Sequence, residues 1–294
     1  MNRWIAHGPG GLAATASLLL VLAVLAGCRT PATPARVDGP VRLALVSDLH
    51  ICEATNEQQR LYPIRLARTI EAVNAAGVQG VLIAGDLTEH GTAREYRTFR
   101  EVIRQFHAPV VYVPGNHDVG NKNIPGKPPG TSTAQTRLYE RECGPSFFQR
   151  DLVGVNILGL NSSLPGSGLR REQQLWAFLE KHLAVPATNT TLLLLHHPPF
   201  LKTLDEPGGD YFNLEPYPRL RLLALARQGG VDAVLSGHLH RGLTNDFGGI
   251  PLLTTPPVSF GLPQGRQREG WTLLTVSSNR VSWEFQPLPR ITAP

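Results

Sequence analysis

From Val41 onward, short apolar runs alternate with segments whose apolar residues recur at helical spacing. The runs at 41–47 (VRLALVS), 80–85 (GVLIAG) and 109–115 (PVVYVPG) have strand length, and they are apolar almost continuously rather than at every second residue. A strand of that kind must be covered on both faces, which is the habit of parallel sheets flanked by helices. The intervening segments supply the helices. Residues 62–76 (YPIRLARTIEAVNAA) end at Gly77, and 92–106 (TAREYRTFREVIRQF) begin with Thr92 and Glu95 placed as a capping box. The pattern resumes with strands at 155–161, 191–197 and 231–240 and helices at 171–183 and 214–228. It changes after Gly242, where 242–256 and 270–288 read as β-hairpins, the second turning at 277–280 (SSNR). The expected fold is a mixed α/β domain closed by antiparallel strands, without internal repeats or a boundary between Val41 and Leu288. Residues 119–144, rich in Gly, Pro, Asn and Thr around one helical pattern at 133–142, form a long connection of the kind that carries function.

The strand ends share an unusual chemistry. They read VSDLH (Asp48, His50), IAGDLTEHG (Asp86), PGNHD (Asn116, His117, Asp118), LLHHPP (His196, His197) and SGHLH (His238, His240). Taken singly, each has an ordinary explanation. An Asp after a strand is commonly an N-cap or turn former, and a lone His is more often a surface or core residue. Together they do not, because His50, His117, His196, His197, His238 and His240 are six of the ten histidines in the chain. In open α/β sheets the ligand site lies beyond the carboxyl ends of the strands, where these side chains can converge.

The residue types suit metal coordination. In extended backbone, residues two apart face the same side, so Asp48 with His50, and His238 with His240, can each give two donors to one centre. Of the adjacent His196 and His197, only one can do so. Two aspartates, an asparagine and three or four histidines exceed the four ligands of a tetrahedral zinc. They fit two ions about 3.5–4 Å apart with a bridging carboxylate. Imidazole favours Fe, Mn or Zn over Ca or Mg. Two carboxylates against two divalent ions leave a positive site that attracts a phosphate ester.

The ordered set D-x-H, G-D, G-N-H-D, H and G-H-x-H resembles the calcineurin-like metallophosphoesterase family over about Val41 to Phe260. The resemblance implies a two-sheet β sandwich flanked by helices, a four-layer αββα arrangement. It implies that Asp48, His50, Asp86 and His240 hold one metal. Asp86, Asn116, His196 and His238 would hold a second, with Asp86 as bridge and His197 behind the ligands. It further implies that His117 faces the leaving group with Asp118 orienting it, in a hydrolase of phosphoric monoesters or diesters. The H-H-P-P-F stretch is similar to that of cyclic-nucleotide and glycerophosphodiester phosphodiesterases. A non-catalytic metal-dependent binding protein is the rival reading, but a structural metal site has no use for the pair His117 and Asp118.

Residues 1–28 stand apart from the domain. Arg3 is followed by an uncharged stretch from Leu12 to Ala26, shorter than the ~20 residues of a spanning helix. It reads as a secretory signal ending in LAGC, which resembles a bacterial lipobox with Cys28 as the lipidated residue; an uncleaved anchor is the alternative. Residues 29–40 form a Pro-rich tether, and 41–294 the domain, exported and held at a membrane by the lipid. Cys52 and Cys143 would then meet an oxidising compartment and either pair or stay free. The net charge of +5 comes from scattered basic residues, so no nucleic-acid partner is expected.

Overall fold

The computed structural model describes residues 39–277 and 280–290. The signal segment, Cys28 and most of the tether lie outside the described residues, as does the centre of the expected turn at 277–280. Along the chain come β1 (Val41–Val46), α1 (Glu57–Ala75), β2 (Gly80–Ala84), α2 (Ala93–Val102) and β3 (Val110–Val113). Next are the single-turn α3 (Asn116–Val119), α4 (Thr133–Cys143), β4 (Phe148–Leu152), β5 (Val155–Gly159), α5 (Arg170–His182) and β6 (Thr191–Leu194). The chain closes with α6 (Pro216–Gln228), β7 (Ala233–Ser236), β8 (Leu243–Phe247), β9 (Ile250–Thr254), β10 (Gly270–Ser277) and β11 (Arg280–Pro287). Helix α1 starts five residues before the periodic stretch, because the Asn56 side chain caps it by accepting from the Gln59 amide. Thr92 and Glu95 form the expected capping box on α2.

The strands make two mixed sheets, ordered β11–β10–β1–β2–β3 and β4–β5–β6–β7–β9–β8. The alternating side chains of the apolar runs explain why there are four layers. Leu43, Leu45, Leu82 and Ala84 face inward against Ile157, Leu192, Leu194 and Leu235 of the second sheet. Their neighbours Ala44, Val46, Val81 and Ile83 face outward beneath α1, α2 and α4. On the far side, Leu193, Leu195 and Val234 lie beneath α5 and α6. The fold is therefore helix, sheet, sheet, helix, as the resemblance implies.

Strand β4 is absent from the sequence reading. Gln149, Arg150 and Asp151 are exposed and only Phe148 and Leu152 are buried, so β4 is defined by its antiparallel pairing to β5 rather than by apolar residues. Cys52 and Cys143 are both free and half-buried. Burial, followed by Glu89 and Glu95, pushes the Cys52 thiol up to about 11. Among the described residues no helix is long and apolar enough to cross a membrane.

Candidate metal centre

The parallel registers of β1 with β2 and of β6 with β7 bring their carboxyl ends side by side. Beyond those ends the backbone turns sharply. Asp48, His50, Asp86, His238 and His240 all adopt positive φ, between 48° and 72°. Left-handed backbone of this kind costs a non-glycine residue about 1–2 kcal/mol. The sharing of a centre by residues two apart thus arises from left-handed turns, not from extended backbone as the sequence suggests. The consequence differs too: Asp48 and His50 reach one group, whereas His238 and His240 go to different ones. Asp48, His50, Asp86 and His240 offer donor atoms within 4.8 Å of one another, and so do Asp86, His196 and His238.

Hydrogen bonds fix which ring nitrogen of each histidine carries the proton. The Nδ1 of His196 donates to the Ala84 carbonyl at 2.7 Å, and that of His240 to the Phe260 carbonyl at 2.6 Å. The Nδ1 of His50 donates to Glu89 Oε2 at 2.7 Å, and the Nε2 of His238 to the Tyr211 carbonyl at 3.3 Å. In the neutral rings the other nitrogens are then lone pairs. Those lone pairs face each other: His50 Nε2 lies 3.2 Å from His240 Nε2, and His196 Nε2 lies 3.1 Å from His238 Nδ1. Further acceptors join them. Asn116 Oδ1 is 3.0 Å from His196 Nε2. Asp86 Oδ2 lies between the pairs, 3.2 Å from His196 Nε2 and 3.6 Å from His50 Nε2. Asp48 Oδ1 is buried without a hydrogen-bond partner, 3.4 Å from His240 Nε2. Acceptors cannot satisfy one another, and this set fits cations between them.

The titration of these groups follows from the same geometry. Burial opposes charge on every ring. On His50 the bond to Glu89 and the charges of Asp86 and Asp48 overcome it and raise the pKa. On His196 the Asp86 and Asp48 carboxylates lift it to about 9. Their partners move the other way: burial and His196 hold His238 well below the usual imidazole range, and burial lowers His240, the His50 charge adding to it. One ring of each facing pair thus takes the positive charge that the pair lacks. Asp86 is buried, yet its imidazole neighbours, His196 foremost, hold it well below the ordinary carboxylate range.

Two glycines make room for these contacts. A Cβ on Gly85, at φ 89°, would come within 2.4 Å of the His196 ring, and one on Gly115 within 2.1 Å of Asp86 Oδ1. Gly115 is needed for that close approach and not for a turn, since its φ is an ordinary −106°.

His117 stands at the rim, about a third exposed, with its ring 4.6 Å from that of His50. Its Nδ1 donates to the Glu89 carbonyl at 2.8 Å, and Glu89 Oε1 lies 3.8 Å away. The hydrogen bonds of the Asp118 carboxylate go elsewhere than to that ring, which corrects the expectation that it orients His117. Its carboxylate accepts from the amides of Leu87 (3.0 Å), Thr88 (3.0 Å) and Gly115 (2.8 Å) and from the Thr88 hydroxyl (2.8 Å), tying the ends of β2 and β3 together. Burial, followed by the Asp86 charge, pushes it up to about 6 against those bonds. The residue beside His117 is Glu89, which the sequence reading did not single out. His197 is buried behind the cluster, held between Ser162 Oγ (2.8 Å) and Asn121 Oδ1 (3.1 Å). Tyr211 also belongs to the site, its hydroxyl accepting from Asn116 Nδ2 at 2.9 Å. His90 points outward to Glu95.

Residues 41–242 match the family described as calcineurin-like phosphoesterase. A cAMP/cGMP dual specificity phosphodiesterase of Mycobacterium tuberculosis is 31% identical over 224 residues, covering 70% of this chain and 64% of that protein. A serine/threonine-protein phosphatase of Danio rerio is 30% identical over 192 residues, covering 63% of this chain and 59% of that one. The chain thus spans less than two thirds of the length of these two relatives. Among solved structures, a dimetal phosphatase from Danio rerio superposes with a TM-score of 0.58, covering 85% of this chain and 97% of the other. At 13% identity that likeness is one of fold.

Proposed function

Because the chain belongs to the calcineurin-like phosphoesterase family, we propose that it hydrolyses phosphoric esters with the help of two metal ions held at the strand ends. The observation that carries this reading is the convergence of acceptor atoms, the buried and unpartnered Asp48 Oδ1 among them, with Asp86 common to two groups. Asp48, His50, Asp86 and His240 hold one ion. Asp86, Asn116, His196 and His238 hold the other. The histidine-rich donor set suits Fe, Mn or Zn. Such ions supply Lewis acidity at the phosphoryl group and lower the pKa of water toward neutrality.

The side chains around them orient the ester and manage its protons. Asn116 is turned by Tyr211 so that its carbonyl oxygen faces the cluster. With Nδ1–H tied to the Glu89 carbonyl, the imidazolium form of His117 carries a second proton on Nε2, which passes to the departing oxygen and leaves the neutral ring protonated on Nδ1. Glu89 keeps His50 in the tautomer that leaves Nε2 free.

The finer reading is a phosphodiesterase, supported by the name of the M. tuberculosis relative; the D. rerio relative is named as a phosphatase and supports the monoester alternative. We further propose that the chain is exported and anchored through a lipid on Cys28, by the LAGC pattern. The deciding experiment compares bis(p-nitrophenyl) phosphate with p-nitrophenyl phosphate on Mn2+-loaded protein. Faster turnover of the diester, abolished by a chelator, is expected. Faster turnover of the monoester would replace the diester reading, and no turnover of either ester with Mn, Fe or Zn would overturn hydrolysis.

A further inference from the structure

Two aromatic side chains stand exposed at the mouth of the centre, Tyr211 at 40% and Phe212 at 42%. Scattered exposed aromatics are common and imply nothing alone. What distinguishes this pair is the way it is held. The loop at 201–215 is rich in Gly, Pro and Asp, a composition that ordinarily gives a mobile connection. Here it is fixed by two buried cations. Lys122, 2% exposed, donates from Nζ to the Asp210 carbonyl at 2.7 Å and to Glu215 Oε1 at 2.6 Å. Arg219, fully buried, donates to the Leu204 and Glu206 carbonyls at 2.8 Å and twice to that of Leu214. Buried charges are costly unless every donor is used, and here they are spent on the backbone to either side of the aromatic pair.

The pair is also tied to the cluster itself. The Tyr211 hydroxyl accepts from Asn116 Nδ2 at 2.9 Å, and its carbonyl accepts from His238 Nε2 at 3.3 Å. The Tyr211 ring lies 4.9 Å from the His238 ring. The Phe212 ring stands 5.3 Å from that of Tyr211 at 90°, so the two make an open corner. Another aromatic pair flanks the cluster on the His50 and His240 side, but it is closed. Tyr62 is 6% exposed and stacked on Phe260 at 5.5 Å and 16°, so these two rings spend one face each on one another. The Tyr211 hydroxyl only accepts, from Asn116, so among the described residues its O–H proton has no acceptor and is free to reach a phosphoryl oxygen held beside Asn116.

We propose that the Tyr211–Phe212 corner is a binding subsite for a flat aromatic group of the ester, a nucleobase or aryl ring, and that it sets specificity at this centre. The subsite rests on the phosphoester reading above for the phosphate that anchors the ligand. A ring placed in the corner stacks on one side chain and meets the edge of the other, while the phosphate stays within reach of Asn116 and the Tyr211 hydroxyl. Stacking of one base on an aromatic side chain is worth about 1–3 kcal/mol, or roughly 5- to 150-fold in affinity.

The test is calorimetric binding of adenosine 5′-monophosphate and ribose 5-phosphate to the Mn2+-loaded full chain. The two ligands share a phosphate and differ in the ring. The monophosphate is expected to bind about tenfold or more tightly than the sugar phosphate. Phe212→Ala should bring that ratio close to one, whereas Tyr211→Phe, which keeps both rings, should preserve it. Equal affinities in the unaltered protein, or an undiminished ratio in Phe212→Ala and Tyr211→Leu alike, would overturn the subsite. Binding is read without turnover, so a protein that binds with the expected ratio but hydrolyses nothing would sink the catalytic reading and leave the subsite standing.

Discussion

Glu89 joins two histidines with different tasks, and its two kinds of oxygen do separate work. The carboxylate takes the Nδ1 proton of His50 at 2.7 Å, and the backbone carbonyl takes that of His117 at 2.8 Å. Burial works against charge on this carboxylate, but the bond to His50 and the nearby imidazoles hold its pKa below the ordinary value. Removing such a partner of a ligating histidine costs about 10- to 100-fold in metal affinity. Glu89→Ala is therefore expected to weaken Mn2+ binding by that factor in chelator competition. Glu89→Gln, which keeps an acceptor for Nδ1, should recover most of it. Equal losses in both variants would assign the effect to charge instead of ring orientation. Nothing in the sequence marks Glu89, since an acid shortly before a helix reads as a solvated charge. Asp118 shows the reverse case: the motif makes it conspicuous, but only the structure shows its four bonds going to Gly115, Leu87 and Thr88. Residue types at the strand ends were legible; their pairings, which depend on contacts between distant strands, were not.

At the scale of the element, the strand ends pay for their placement in backbone strain. Asp48, His50, Asp86, His238 and His240 sit in left-handed conformation, where glycine would be at ease. That strain is tolerable because the turns are clamped by neighbouring strands, as when the Leu49 and His50 amides both donate to the Asp86 carbonyl. In metal-free protein, His240→Gly should be more stable than His240→Ala by about 1 kcal/mol. Urea midpoints at equal slope read this difference, and an alanine variant as stable as the glycine one would remove the strain. The apolar runs disclosed the strands that carry these turns, because burial on both faces leaves a continuous apolar signature. Strand β4 left none: its three central residues are exposed and only backbone pairing to β5 defines it. The turn conformations were equally hidden, since the left-handed tendency of Asp and His is weak beside that of glycine.

On the scale of the whole molecule, the centre is a joint between the two sheets. Asp48, His50, Asp86 and Asn116 follow strands of the first sheet, whereas His196, His238 and His240 follow strands of the second. Each of the two groups draws on both sheets, His240 completing the one and Asp86 entering the other. Below the joint the sheets adhere through apolar side chains such as Leu45, Leu82, Leu194 and Leu235. At the joint itself the neutral rings set acceptor against acceptor and repel, a conflict that protons on His50 and His196 relieve when no cation does. Cations there exchange that repulsion for attraction, and only the folded chain assembles the full set. Free Mn2+ at about 100 times its dissociation constant should then stabilise the fold by about 2.7 kcal/mol per site. In a domain of this size one site corresponds to a rise in Tm of about 5–10 °C. Differential scanning calorimetry with and without chelator measures it. Asp86→Ala, which removes the carboxylate common to both groups, should lose most of the rise, because neither group then keeps its full set of donors. A rise of the same size in Asp86→Ala would mean that Mn2+ stabilises the protein from somewhere other than the joint between its sheets.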